Sequence, residues 1–349
     1  MKAARIYGKK DMRVEDVDKP EINDSEVLIK TKACGICGTD AAMYMGEYLS
    51  KTPVIPGHEF AGEVVEVGDD VESVDIGDRV MPDENVSCGT CYWCKRQQKL
   101  FCPSLYQIGI GEDGGFAEYF KAPGRNVHHL PSDLSYEEAT LAEPLACATS
   151  CVDRGEVVSS DVVTVLGDGP LGVFCAKAAQ LEGASKVILS GHHDYRLELG
   201  KTLGADITVN SNEEDLEEVV NNVTDGRGAD VVIEAVGHAS TYEKAVDLVR
   251  RGGNVSVMGV PPQGETVELD AFDDIFNKEL TFHVSFAGTY DTWLRALTLI
   301  DSGKVEVEPL ITHRTSIDDL EKAVKMVRDK DDEAFKIIAS PEFDGLERL

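Results

Sequence analysis

Residues 162–191, VVTVLGDGPLGVFCAKAAQLEGASKVILSG, decide how the second part of this 349-residue chain folds. A short, β-branched apolar run closes on Gly167-Asp168-Gly169-Pro170-Leu171-Gly172. A helix-patterned stretch follows, and a second apolar run ends at Gly191. Strand, glycine-rich turn and helix start are the context in which G-x-G-x-x-G cradles a pyrophosphate. Gly167, Gly169 and Gly172 let the backbone turn tightly and approach the phosphates, while Pro170 and Leu171 open a helix whose N-terminus favours an anion.

The same rhythm continues downstream. DYRLELGKTLGAD (194–206) reads as helix, ITVN (207–210) as strand, LEEVVNNVTDG (216–226) as helix and DVVIEAVG (230–237) as strand. TYEKAVDLVRRGG (241–253) then reads as helix and NVSVMGV (254–260) as strand, and the pattern stops near Asn277. Such alternation predicts right-handed βαβ units on a parallel sheet. Upstream, EVLIKTKACGICGTD (26–40), GHEFAGEVVEVGDDV (57–71), IGDRVMP (76–82) and GGFAEYFKAP (114–123) are short strands broken by glycine turns, an antiparallel β pattern.

Acidic residues number 64 against 34 basic ones, a formal net charge of -30 spread along the chain. That sign opposes binding to nucleic acid or an anionic membrane surface. There is neither an apolar run of transmembrane length nor a signal-peptide core at the start, so a cytoplasmic location is expected. The acidity has two readings: an ordinary acidic enzyme, or adaptation to high salt, where counter-ions screen self-repulsion.

Four of the nine cysteines fall in SCGTCYWCKRQQKLFC (87–102), as Cys88, Cys91, Cys94 and Cys102. In a cytosolic chain this density points to metal before disulfides. Four thiolates on one short lobe suit a closed tetrahedral zinc site, whose role is structural because it leaves no open position.

GICGTD (35–40), GHEFAGEVVEVG (57–68), the four-cysteine lobe, Glu143-Pro144 and the glycine-rich turn occur in the order found in the zinc-containing medium-chain dehydrogenases. The chain resembles that family along essentially its whole length, most closely the sorbitol and threonine dehydrogenase branch. The resemblance implies an α/β protein with a GroES-like β domain (1–148 and 286–349) and an inserted doubly wound Rossmann domain (149–285). It makes Cys37 and His58 ligands of a catalytic zinc, with Glu59 beside them and Glu143 at the metal or one water away. Asp40 matches a carboxylate that orients the ligand histidine. Cys34 reads as packed core, as do Cys147, Cys151 and Cys175.

The implied activity is zinc-assisted hydride transfer between a small alcohol and a nicotinamide dinucleotide, with substrate and zinc in an interdomain cleft. A secondary alcohol of a polyol or sugar alcohol is the first substrate class and L-threonine the second; a crystallin-like or RNA-associated relative is a remote third reading. NAD-preferring relatives carry an acidic residue where this chain has Gly191, five positions before Arg196. NAD is nonetheless the expected cofactor, with NADP as the alternative; Gly191 and Arg196 count among the expected cofactor-binding residues, Asp194 is a candidate for the ribose hydroxyls, and His192 or His193 for a phosphate. The branch often has a histidine proton relay where Ala42 stands here, so Thr39 becomes the expected relay and Tyr44 a weaker one. A homo-oligomer, dimer or tetramer, is expected from pairing of sheet edges near NVSVMGV and LTFHVSFAG (280–288).

Overall fold

The computed structural model describes residues 1–48 and 51–349. Two compact units emerge: Met1–Glu143 with Trp293–Leu349, and Pro144–Thr292.

The first unit is built on the strand Glu26–Gly35, which pairs antiparallel with Glu59–Val67, with Tyr119–Pro123 and with Lys336–Ala339. Its apolar residues Val27, Ile29 and Cys34 enter a core with Phe60, Phe116 and Phe120. The Phe60 and Phe120 rings lie 4.4 Å apart, a packing that contributes beyond the area buried. The antiparallel expectation holds for most of this sheet. The exception is Ile311–Thr315, which runs parallel to Lys336–Ala339 after a crossover through the helix Leu320–Asp329.

The second unit is the doubly wound sheet anticipated from residues 162–191. Six parallel strands lie in the spatial order Ile207–Asn210, Lys186–Gly191, Val162–Leu166, Ala229–Glu234, Val249–Val257 and Thr281–Val284. The helix Pro170–Leu181 starts with proline in its first turn, where the missing N–H costs nothing. A Cβ on Gly172 would lie 1.9 Å from the Gly167 carbonyl oxygen, so only glycine lets this helix seat against the turn.

Two expectations are corrected. The helix read over 241–253 ends at Leu248, and residues 249–257 form a strand. Val249 is buried opposite Ala229, and Gly252 adopts φ +64, which cannot continue a helix. Nor does the parallel pattern stop near Asn277: Thr281–Val284 adds a sixth strand at the edge. Its residues are largely exposed, so they lack the apolar signature of a buried parallel strand.

Candidate metal centre and dinucleotide turn

The first cluster forms where the long strand ends. Cys37 caps the helix Gly38–Met45, and Asp40, three residues on, reaches back. Asp40 Oδ2 accepts the Cys37 N–H at 2.8 Å and Oδ1 accepts the Gly57 N–H at 3.2 Å. One buried carboxylate thereby ties the helix start to the loop carrying His58. The expectation that Asp40 holds the imidazole itself is modified: His58 Nδ1 stands 3.7 Å away and makes no hydrogen bond among the described residues. Asp40 positions His58 through the backbone.

Donor atoms of Cys37, His58 and Glu59 lie within 4.8 Å of one another. Glu143 is outside that group, buried in the first turn of the helix Ala142–Arg154. Three neighbours carried no sequence signal. Lys336, buried, donates to both Glu59 oxygens at 2.8 and 2.6 Å. Glu84 is 2% exposed and its Oε2 has no hydrogen-bond partner among the described residues. Burial and then the Glu143 charge push the Glu84 carboxyl up to about 8, against the opposing pull of His58. Tyr48 is half-buried, and burial pushes its phenol upward against the opposing pull of His58.

This set fits a divalent zinc ion. A thiol, an imidazole and carboxylates converge in a buried place whose lysine is already consumed by Glu59, so bound positive charge is what the cluster lacks. His58 registers the same imbalance: burial opposes its protonation, yet Asp40 and Cys37 drive its pKa well up.

Thr39 is the second helical residue, with its hydroxyl 3.7 Å from Cys37 Sγ. Cys37 occupies the capping position, so Thr39 does not. Tyr44 is committed elsewhere, donating to Glu321 Oε1 at 2.6 Å.

The four-cysteine lobe brings Cys88, Cys91, Cys94 and Cys102 within 4.8 Å of one another. Sγ separations of 3.5 Å for Cys91–Cys94 and 4.0 Å for Cys88–Cys94 bracket the roughly 3.8 Å edge of a tetrahedron with ~2.3 Å zinc–sulfur bonds. Backbone N–H groups of Thr90 and Cys91 draw the Cys88 thiol down to about 6, favouring the thiolate a metal binds. Cys34 is in neither set: it is wholly buried and its thiol is pushed well up. Cys151 and Cys175 are buried and Cys147 partly so. Trp293 is buried and stacks on His128 at 5.6 Å, a packing role.

In the second unit Gly167, Gly169, Pro170, Leu171 and Gly172 form the turn into the helix Pro170–Leu181, and Gly191 ends the adjacent strand. Gly167 N–H donates to the Ser190 carbonyl at 2.8 Å, which fixes the turn beside that strand end. Arg196 is 5% exposed, and its Nε donates to the Tyr195 hydroxyl at 2.6 Å. The Asp194 carboxylate accepts from Asn210 at 2.7 Å.

Known proteins resemble this chain in sequence and in fold. Residues 23–132 match the alcohol dehydrogenase GroES-like domain and residues 170–302 the zinc-binding dehydrogenase domain. An L-threonine 3-dehydrogenase of Pyrococcus abyssi is 38% identical over 94% of this chain and 94% of its own. A sorbitol dehydrogenase of Halalkalibacterium halodurans is 34% identical over 96% and 97%. A zinc-binding dehydrogenase of Sinorhizobium meliloti 1021, solved bound to NADP, is 36% identical with a TM-score of 0.90, covering 97% of this chain and 99% of that one. The chain belongs to the zinc-containing medium-chain dehydrogenase family. It is a zinc-dependent, NAD(P)-linked alcohol dehydrogenase.

Proposed function

We propose that the enzyme oxidises a secondary alcohol of a polyol or sugar alcohol, with NAD as the preferred acceptor. The observation that carries the polyol is the charge of the first cluster. Asp40, Glu59, Glu84 and Glu143 are buried there, and Lys336 is bound to Glu59. A neutral polyhydroxyl compound needs no cationic partner, and its spare hydroxyls donate to carboxylates. A second reading, L-threonine, is favoured by the Pyrococcus abyssi relative at 38% identity. Its ammonium would suit Glu84 Oε2.

Cys37, His58 and Glu59, with Glu143 close by, are the residues proposed to hold the catalytic ion, and Cys88, Cys91, Cys94 and Cys102 the structural one. A bound zinc would supply the Lewis acidity that lowers the pKa of a substrate hydroxyl, and a nicotinamide would supply the hydride acceptor. Thr39 takes the hydroxyl proton onto Oγ1 and releases its own toward solvent. Lys336 holds Glu59 in place by donating to both of its carboxylate oxygens. The deciding experiment is an NADH absorbance assay over sorbitol, xylitol, 2,3-butanediol and L-threonine. Turnover on the polyols exceeding that on threonine supports the first reading, and the reverse order replaces it with the second.

The protein is also proposed to self-associate. Phe282 and Val284 are 40% and 62% exposed on the edge strand, and Phe272 and Phe276 lie exposed just before it. An apolar edge of this kind is a template for a second copy. Light scattering should return at least a dimer; a monomer at low and high salt alike would refute the pairing.

A further inference from the structure

The second strand of the dinucleotide unit ends without the acidic residue that ordinarily binds the adenosine ribose, about twenty residues after the glycine-rich turn. The structure explains why none stands there. A Cβ built on Gly191 would lie 2.3 Å from Asp168 Cβ and 2.4 Å from Asp168 Cγ and Oδ2. The volume above Gly191 is filled by the side chain of Asp168, the residue between the first two glycines of the turn.

Asp168 is 6% exposed and firmly held. Its Oδ2 accepts the N–H groups of His192 at 2.8 Å and His193 at 2.9 Å, and meets His193 Nδ1 at 2.9 Å. All three contacts end on Oδ2, and Oδ1 accepts none among the described residues. Burial alone would raise this carboxyl's pKa, but the His193 ring and the two amides outweigh it and keep the group ionised.

We infer that Asp168 supplies the ribose-binding carboxylate that Gly191 lacks, with Oδ1 as the acceptor for an adenosine ribose hydroxyl. The acid has moved from the strand end to the glycine-rich turn while its charge stays in nearly the same place. This inference deepens the NAD preference proposed above and rests on it. A 2′-phosphate brought to the same spot meets an anion whose neighbouring donors, the His192 and His193 amides, are already used. Of the neighbouring side chains, Asp194 is bound to Asn210, and Arg196 is buried with its Nε on Tyr195.

The test is binding rather than turnover. Purified wild type and Asp168→Asn are titrated with NADH and with NADPH, following nicotinamide fluorescence. Wild type should bind NADH at least tenfold tighter than NADPH, the scale of one hydrogen bond to a charged group. Asp168→Asn keeps the size of the side chain and removes its charge. It should weaken NADH about tenfold while NADPH is unchanged or tighter, so the preference collapses. A purely structural role for Asp168 predicts that both dinucleotides weaken by the same factor, and that result would overturn the assignment while leaving the NAD preference intact. Wild type binding NADPH as tightly as NADH would overturn the preference and the assignment together, and does not depend on the variant folding.

Discussion

Lys336 and Glu59 form a buried ion pair, with Nζ 2.8 and 2.6 Å from the two carboxylate oxygens and side chains 2% and 0% exposed. Glu59 raises the lysine pKa against the opposing effect of burial. Removing one partner strands the other charge, so Lys336→Met should destabilise the folded protein by about 3–5 kcal/mol. Adding Glu59→Gln to that variant should recover much of the loss. Urea denaturation of chelated protein reads both, and a loss under about 1 kcal/mol for Lys336→Met would mean that water already serves Glu59.

Thr39 is the proton acceptor in this account. Thr39→Val should slow turnover by roughly 10²-fold, the usual worth of a positioned acid–base group. Thr39→Ser should keep most of the activity, with zinc content equal in both. Because Cys37 holds the capping position, a merely structural Thr39 predicts that valine and serine differ little in rate.

Glu84 makes stability depend on pH in the metal-free protein. Its carboxyl is at about 8 in the fold against an ordinary value of 4.5, so the folded state binds the extra proton between those values. Stability contributed by the protonated form is therefore lost as pH rises from about 4.5 to about 8, at up to about 1.4 kcal/mol per unit. Glu84→Gln should flatten that slope when chelated protein is denatured by urea at pH 5 and pH 8. Equal slopes for the two proteins would contradict the placement of this carboxyl.

The net charge of -30 sets a salt response. If the acidity is an adaptation, raising potassium chloride from about 0.1 to 2 M should raise Tm, since the Debye length contracts from about 10 Å to a few ångströms. A flat or falling Tm favours the ordinary acidic enzyme.

Much of this was legible in the chain because some signals are local. The four cysteines lie within one lobe, and strand, turn and helix around Gly167 are contiguous, so spacing alone carries the chemistry. Lys336 was invisible because it lies 277 residues from Glu59 and looks like the first residue of an ordinary strand. Glu84 has no distinguishing local signal in a chain with 64 acidic residues. Asp168 carries no signal of its own within the turn motif, since only tertiary structure brings it over Gly191. The run 249–253 is strand rather than helix because the sheet contact at Val249 outweighs the helical pattern preceding it.

The central claim is that two different zinc sites serve one chain, and the direct measurement is zinc per chain by elemental analysis alongside activity. Wild type should hold two zincs. Cys37→Ser should hold one, remain folded and lose turnover. Cys91→Ser should lose the other with a large fall in stability, less than the on the order of 10 kcal/mol that zinc contributes in small model sites. Fully active wild-type protein holding a single zinc per chain would contradict the account.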